Sequence, residues 1–332
     1  MKTPAELPPL LESFFTNRLI GQRRASPHTI AAYRDTFSLL LKFAQKHLGR
    51  EPSKLMLEDV NAVFIAAFLD DLESGRHCCP RSRNARLAGI RSFFRYAAVE
   101  APQHSGLIQR VLSIPRKRYV QRVIDFLTRD EIKALLSVVD RTTWLGRRDH
   151  AIILTAVQTG LRLSEITSLC RQDVALGTGA HVRCIGKGRK ERCTPLSKPA
   201  VAVLVAWMKD AMTMPSPFLF PSSRGGRLSA DAVQRLVGRH VGNAQKACPT
   251  LAKKRVTPHV LRHSAAMELL QAGVDRALIA IWLGHESVET TQVYLDADLT
   301  LKEAMLAKAR PIDGASARYR PRDQLVQFLK AL

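Results

Sequence analysis

Residues 257–271 read TPHVLRHSAAMELLQ, and this stretch sets the start of a helix. Thr257 is a residue type favoured as an N-cap, and Pro258 is favoured in the first helical position. The spacing then puts His259 and Arg262 on one face of the first turn, because residues three apart are neighbours on a helix. The partial positive charge of a helix N-terminus adds to theirs, so both side chains are predicted to reach one phosphate group.

Other candidate phosphate-binding or catalytic residues lie in short sequence motifs elsewhere in the chain. Arg162 lies in TGLRLSE, Lys187 lies in IGKGRKER, and His285 lies in LGH. Tyr294 follows His285 by nine residues, a span short enough for both to border one pocket. Without a metal, the negative charge of a phosphodiester transition state must be stabilised by fixed, positively charged hydrogen-bond donors. Arginine suits this role because its guanidinium is planar and permanently charged and can donate two parallel hydrogen bonds. Arg162 and Arg262 are the candidates for that role.

The charge of the chain predicts a polyanionic partner. Its 332 residues include 51 Lys and Arg against 29 Asp and Glu, a formal net charge of +22. This excess favours nucleic acid over a neutral small molecule and exceeds what solubility requires. No apolar run approaches the roughly 18 residues of a membrane span, so no membrane partner is expected. The first 22 residues carry charges and three prolines where a secretory segment has an apolar core, which predicts a cytoplasmic protein.

The cysteines are predicted to be reduced and structural. They form no Cys-x-x-Cys pair and no histidine spacing suited to zinc. A hairpin loop of residues 187–190 would place Cys184 and Cys193 opposite each other, yet two thiols are expected in a reducing compartment. The six cysteines are at positions 78, 79, 170, 184, 193 and 248.

A chain of this length suits two domains. Residues 1–112 are predicted to form a helical bundle with a basic face, in which Ser26 caps one helix. Residues 113–125 break the apolar pattern with a proline and four positive charges in IPRKRYVQR, which indicates an extended basic linker. The predicted helices of the first domain are His28–His47, Leu57–Leu72 and Ser82–Glu100.

Residues 126–310 are predicted to form a second domain that is mainly α with one small β-sheet. Thr128 caps its first helix, Gly160 and Arg162 lie at a junction between helices, and Lys187 lies near the tip of a β-hairpin. Residues 311–332 are predicted to form a tail with an amphipathic helix. The predicted strands are His181–Gly186 and Glu191–Pro195, and the predicted helices are Arg129–Val139, Gly146–Thr159, Pro199–Met212, Ala230–Ala244, Pro258–Gln271, Asp275–Leu283, Ser287–Tyr294 and Leu301–Lys308.

From about Leu127 to about Ala309, these residues in this order and context resemble the tyrosine recombinase, or phage integrase, superfamily, particularly its Xer-like branch. The resemblance implies a two-domain clamp, with an N-terminal helical core-binding (SAM-like) domain and an α+β catalytic domain. It implies that Tyr294 attacks DNA and leaves a 3′-phosphotyrosyl link and a free 5′ hydroxyl. It further implies a homotetramer, with or without related recombinase subunits, on two duplexes of double-stranded DNA with specific core sites.

The resemblance also assigns roles to two candidate histidines. His285 would hydrogen-bond the scissile phosphate, and His259 would do likewise or help to accept the tyrosine proton. Lys187 is the candidate general acid for the departing 5′ oxygen. Glu165 is expected to orient the basic residues, and His263 is predicted to point elsewhere as a structural histidine. Bond energy is conserved in the covalent intermediate and no paired carboxylates suit magnesium, so no cofactor, ATP or metal is expected.

Several alternatives stay open. A type IB topoisomerase would use similar tyrosine chemistry, a catalytically inactive DNA-binding protein would keep the fold, and a metal-dependent nuclease would need a carboxylate cluster. The length of chain beyond Ala309 favours a mobile element over Xer-type resolution of chromosome or plasmid dimers. The tail is expected to dock either on a neighbouring protomer or on its own domain.

Overall fold

The chain divides into two compact units, Met1–Gln121 and Arg122–Leu332, and each has a hydrophobic core of its own. Within the described residues, none of the helices is long and apolar enough to cross a membrane. The structure is a computed structural model, and the residues that it describes are 5–120, 124–186, 191–211, 214–285, 291 and 294.

The first unit is a helical bundle, as predicted. The Ser26 hydroxyl accepts a hydrogen bond from the backbone N–H of Thr29 at 3.2 Å, which caps the helix that the sequence predicts from His28. A π-helix, Phe14–Gln22, directly follows the first helix. The α-helices are α1 (Leu7–Ser13), α2 (Pro27–Leu48), α3 (Ala62–Ser74), α4 (Pro80–Glu100) and α5 (Ser105–Leu112).

The predicted helix Leu57–Leu72 is wrong in its first turn. A short 3₁₀ turn covers Leu57–Val60, and α3 begins only at Ala62. The Asn61 side chain accepts the N–H groups of the two following positions at 3.0 and 3.1 Å, and asparagine is a strong N-cap, so the chain restarts its helix there. Helices α1 and α5 were not predicted.

The N-terminal segment is held by aromatic packing. Phe14 is fully buried and contacts Phe93 edge-to-face at 5.6 Å, while Phe37 contacts the same ring at 5.4 Å. These contacts join the π-helix, α2 and α4 into one core.

The second unit combines helices with a three-stranded antiparallel sheet in the order β1-β2-β3. The Thr128 hydroxyl and the Glu131 carboxylate form a capping box at the start of its first helix, as the sequence indicates. The strands are β1 (Val174–Ala175), β2 (His181–Ile185) and β3 (Glu191–Pro195). The helices are α6 (Arg129–Ser137), α7 (Trp144–Thr159), α8 (Leu163–Ser168), α9 (Lys198–Ala211), α10 (Ala230–Ala244), α11 (Pro258–Gln271) and α12 (Arg276–Leu283).

The register of the hairpin corrects one expectation. Ile185 pairs with Glu191, so Cys184 lies opposite Arg192 and not opposite Cys193. Consecutive residues of a strand point to opposite faces, and a shift of one residue therefore separates the two thiols. Cys184 is buried and Cys193 is exposed.

Candidate active site

The end of helix α7 positions the first arginine. Gly160 has a φ of +64°, and a Cβ there would lie 2.5 Å from a Leu283 methyl group, so both the backbone and the packing require glycine. Arg162 then takes the N-cap position of α8. Its guanidinium donates to the carbonyl of Gly284 at 2.7 Å and to Glu165 at 3.0 Å.

Glu165 fixes the orientation of two arginines. Its carboxylate accepts one hydrogen bond from the Arg162 side chain, one from the Arg162 backbone N–H, and two from the Arg192 guanidinium at 2.7 and 3.0 Å. Burial alone would raise the pKa of Glu165, but the bonds from Arg192 and Arg162 outweigh it and hold that pKa below its usual value. Glu165 is therefore an anion that holds both guanidinium groups in place.

The second arginine bridges the ends of two helices. Arg262 projects from the first turn of α11, and its guanidinium donates to the carbonyls of Gly160 at 2.6 Å and Leu283 at 2.8 Å. These carbonyls lie at the C-terminal ends of α7 and α12, where a cation is favoured. Burial, with the nearby charge of Arg162, lowers the pKa of Arg262 to about 10, so this side chain stays charged at neutral pH.

The tyrosine lies against a histidine of α11. Tyr294 is buried, with 2% of its surface exposed, and its hydroxyl is 3.2 Å from Nδ1 of His263. The rings of His259 and His263 meet edge-to-face at 4.4 Å. Burial raises the pKa of Tyr294, and the charges of Arg262 and Arg162 oppose that rise. The phenol is consequently protonated at neutral pH.

His285 follows the last turn of α12 and closes the cluster. Its ring stacks almost parallel to that of Tyr294, with the centroids 6.3 Å apart, and its Nδ1 is 3.0 Å from the Thr291 hydroxyl. Burial, together with Arg262 and Arg162, lowers the pKa of His285 to about 4. The ring is therefore neutral at neutral pH.

The structure brings five of the six predicted site residues into one cluster: Arg162, His259, Arg262, His285 and Tyr294. Lys187 and the neighbouring Arg189 and Lys190 lie outside the described residues, as do the predicted helix Leu301–Lys308 and the tail.

The prediction for His263 was wrong. The side chain does not point away from the site but contacts the tyrosine hydroxyl. The signal was in the sequence, since His263 is four residues after His259, and residues four apart share a helix face. Sequence analysis also missed Arg192, whose partner Glu165 lies 27 positions earlier in the chain.

The cluster combines a nucleophilic hydroxyl with cationic and imidazole groups. Two guanidinium groups supply fixed positive charge, and the histidines supply sites that donate or accept a proton. A buried hydroxyl surrounded by such groups suits nucleophilic attack on an anionic ester, in which charge develops on the transferred group.

Family models match both units of this chain. A model of the phage integrase family matches residues 125–300, and a model of the phage integrase N-terminal SAM-like domain matches residues 13–101. The chain belongs to the phage integrase family. It is a tyrosine-type site-specific recombinase, with an N-terminal SAM-like domain and a catalytic domain of mainly α structure with a small sheet.

The alignments with similar proteins cover nearly the whole chain. It is 59% identical over 332 residues, the full length of both chains, to a putative integrase/recombinase of Sinorhizobium fredii, y4rC. It is 33% identical to tyrosine recombinase XerC of Pelobacter propionicus, over 91% of this chain and 96% of that one. Its fold resembles the XerH site-specific recombinase in a post-cleavage complex, with a TM-score of 0.70 and 22% identity over 86% of this chain and 81% of that one.

Proposed function

We propose that this protein is a DNA integrase or recombinase that cuts and rejoins double-stranded DNA through a 3′-phosphotyrosyl intermediate on Tyr294. The observation that carries the proposal is the tyrosine hydroxyl itself, buried in a cluster with Arg162, Arg262 and three histidines. The net charge of +22 supports a polyanionic substrate.

In the proposed reaction the Tyr294 oxygen attacks the scissile phosphorus while the bond from phosphorus to the 5′ oxygen breaks. Arg162 and Arg262 bind the non-bridging oxygens, and His259 and His285 donate hydrogen bonds to the same phosphate. Lys187 gives a proton to the departing 5′ oxygen. The free 5′ hydroxyl of a partner strand then attacks the phosphotyrosyl link, which reverses these steps and releases Tyr294.

The contacts of the two arginines support this assignment. A guanidinium has five N–H groups, and the described hydrogen bonds of each side chain engage two of its nitrogen atoms. These hydrogen bonds hold each guanidinium in a fixed orientation before substrate arrives. Their acceptors are Glu165 and Gly284 for Arg162, and Gly160 and Leu283 for Arg262. Preorganised donors of this kind stabilise the transition state more than mobile ones, because they need no reorganisation during the reaction.

The assembly and the biological role belong to the same proposal. We expect a homotetramer on two duplexes with specific core sites, with residues 1–112 and 126–310 closing on each duplex, in the cytoplasm. The high identity to a putative integrase/recombinase supports a role in moving a mobile element. The similarity to XerC keeps dimer resolution as the alternative, and sequencing the flanking DNA for an element boundary or an inverted-repeat core site distinguishes them.

Replacing the nucleophile tests the proposal. Tyr294→Phe removes only the hydroxyl, so it abolishes covalent adduct formation on a nicked suicide substrate while gel-shift affinity for DNA stays within about threefold of wild type. Tyr96→Phe is the matched control, because that hydroxyl contacts Ser13 in the first unit at 2.6 Å, and we expect it to leave adduct formation unchanged. A persistent adduct in Tyr294→Phe overturns the assignment.

A further inference from the structure

The contact between Tyr294 and His263 joins the attacking atom to a proton acceptor. Nδ1 of His263 lies 3.2 Å from the phenol oxygen, which is hydrogen-bond distance. The two rings are inclined at 64°, with their centroids 5.5 Å apart, so His263 meets the tyrosine hydroxyl with a nitrogen atom and not with its ring face. His263 lies on helix α11 between Arg262 and Ser264, which are both buried.

The protonation states decide the direction of this hydrogen bond. Burial, together with His259, Arg262 and His285, lowers the pKa of His263 to about 4, so the ring is neutral at neutral pH. A neutral imidazole has one bare nitrogen, and the protonated phenol has one O–H to donate. A phenol O–H is more acidic than an imidazole N–H, so the tyrosine donates to Nδ1 and the histidine proton sits on Nε2.

Four neighbouring groups are poorer acceptors of the phenol proton: Arg162, Arg262, Glu165 and His285. Arginine has no acceptor atom, so neither Arg162 nor Arg262 can take a proton from the phenol. Glu165 already accepts four hydrogen bonds from two arginines. His285 stacks its ring face on Tyr294 and directs its Nδ1 to Thr291.

We propose that His263 is a further catalytic residue, which takes the proton of the Tyr294 hydroxyl as the tyrosine attacks DNA. This inference rests on the proposed function. The O–H bond of the phenol breaks, the proton bonds to Nδ1, and the oxygen forms its bond to phosphorus while the bond to the 5′ oxygen breaks. In the rejoining step the imidazolium of His263 returns the proton to the departing phenol oxygen, so each cycle leaves both groups unchanged.

Substrate binding makes this transfer easier. In the absence of DNA, burial and the neighbouring groups His259, Arg262 and His285 disfavour a positive charge on His263, whereas a bound phosphate brings negative charge beside it. The acceptor is therefore weak in the resting protein and stronger when DNA is in place. The same arrangement keeps Tyr294 protonated until a phosphate arrives.

An asparagine substitution separates accepting a hydrogen bond from accepting a proton. In His263→Asn the amide oxygen takes the approximate place of Nδ1, so it still accepts a hydrogen bond but does not bind a proton. We expect adduct formation on the suicide substrate at pH 7 to fall about 10²- to 10⁴-fold, the usual contribution of a general base. Between pH 6 and 9 the logarithm of the variant rate should rise with a slope about one unit steeper than that of wild type, because hydroxide replaces the missing base.

The controls separate this inference from the proposed function. His150→Asn removes a buried histidine of α7 outside the cluster and reports the cost of losing such a side chain. The inference is overturned if His263→Asn keeps its rate within threefold of the His150→Asn rate, or if it is slower but has the wild-type pH slope. Tyr294→Phe in the same assay tests the proposed function alone: an adduct there rejects the nucleophile, whatever His263→Asn gives.

Discussion

Asp149 on α7 and Glu165 on α8 are both buried carboxylates surrounded by arginines, and each accepts four hydrogen bonds. Asp149 receives two from Arg148 at 2.9 and 3.2 Å, one from Arg239 at 2.7 Å and one from His240 at 3.0 Å. In both cases burial would raise the pKa of the carboxylate, and the partners hold it below the usual value. In both clusters the hydrogen-bonding partners keep a buried carboxylate ionised.

The two clusters differ in the parts of the molecule that their arginines contact. Arg148 also donates a hydrogen bond to the carbonyl of Pro221, and Arg239 and His240 lie on α10. The Asp149 cluster therefore links separate elements of the core. Glu165 holds Arg162, which is 29% exposed and reaches Gly284 beside the site histidine. A similar arrangement of buried carboxylate and arginines therefore stabilises the fold in one place and positions a candidate phosphate-binding group in the other.

Neutralising each carboxylate gives the largest effects and tests this comparison. Glu165→Gln and Asp149→Asn keep the side-chain shape but leave buried arginines without an anion, so each should lower the free energy of unfolding by about 3–5 kcal/mol. Per folded molecule, Glu165→Gln should also slow adduct formation by about 10²-fold because Arg162 loses its orientation. Asp149→Asn should keep the wild-type rate within a few fold.

Urea denaturation gives the two free energies, and adduct assays at a temperature where both variants are folded give the rates. The comparison fails if both variants lose activity to the same extent, since the Asp149 cluster would then also act on the site. It fails equally if Glu165→Gln retains full activity.

Alanine substitutions at two glycines are expected to have a smaller effect on stability and test how firmly Arg192 is held. Gly284 and Gly273 both have positive φ, +65° and +82°, so alanine should cost about 1–2 kcal/mol at either position. A Cβ on Gly284 would lie 2.8 Å from the Arg192 guanidinium, whereas a Cβ on Gly273 meets nothing within 4 Å. Gly284→Ala should therefore cost a further 1–3 kcal/mol, typical of overpacking, and should slow adduct formation.

Gly273→Ala is the matched control in this pair, and thermal melts with the adduct assay measure both changes. Equal losses of stability would mean that Arg192 moves aside without cost, and that Glu165 does not hold it firmly.

Local signals predicted much of this fold, and distant contacts limited the rest. Thr128 and Thr257 were identified as caps because an N-cap acts on the next three residues of the chain. The hairpin register was missed by one position, since it depends on loop conformation and not on the strand residues alone.

The site shows the same division between local and distant signals. Family-like contexts identified Arg162 and Arg262, yet the bond from Arg162 to Gly284 spans 122 positions, and no local pattern specifies it. His263 was misplaced although its spacing from His259 was a local signal. The role of Arg192 follows only from tertiary packing, because β3 brings it to Glu165.

The smallest expected effect is the pH dependence of stability that the site histidines cause. His263 and His285 have pKa values of about 4 in the folded protein, below the usual value of about 6.5. Between these values the unfolded chain binds more protons than the folded one, so the free energy of unfolding falls as pH drops from about 6.5 towards 4. The groups that face these two histidines and disfavour their protonation include His259, Arg262, Arg162 and Arg192.

Replacing either histidine should reduce this acid sensitivity. The melting temperature of His263→Asn or His285→Asn should drop less between pH 7.5 and 5 than that of wild type, because one group that takes up a proton on unfolding is gone. His150 also has a lowered pKa, owing to burial and then to Arg141, so it contributes to the remaining slope and makes complete loss of pH dependence unexpected. A bound DNA duplex should weaken the effect in wild type, since its phosphates favour the protonated rings. If the pH dependence is the same in the variants and the wild type, protons are not excluded from the site histidines, and the resting site is more solvated than its packing implies.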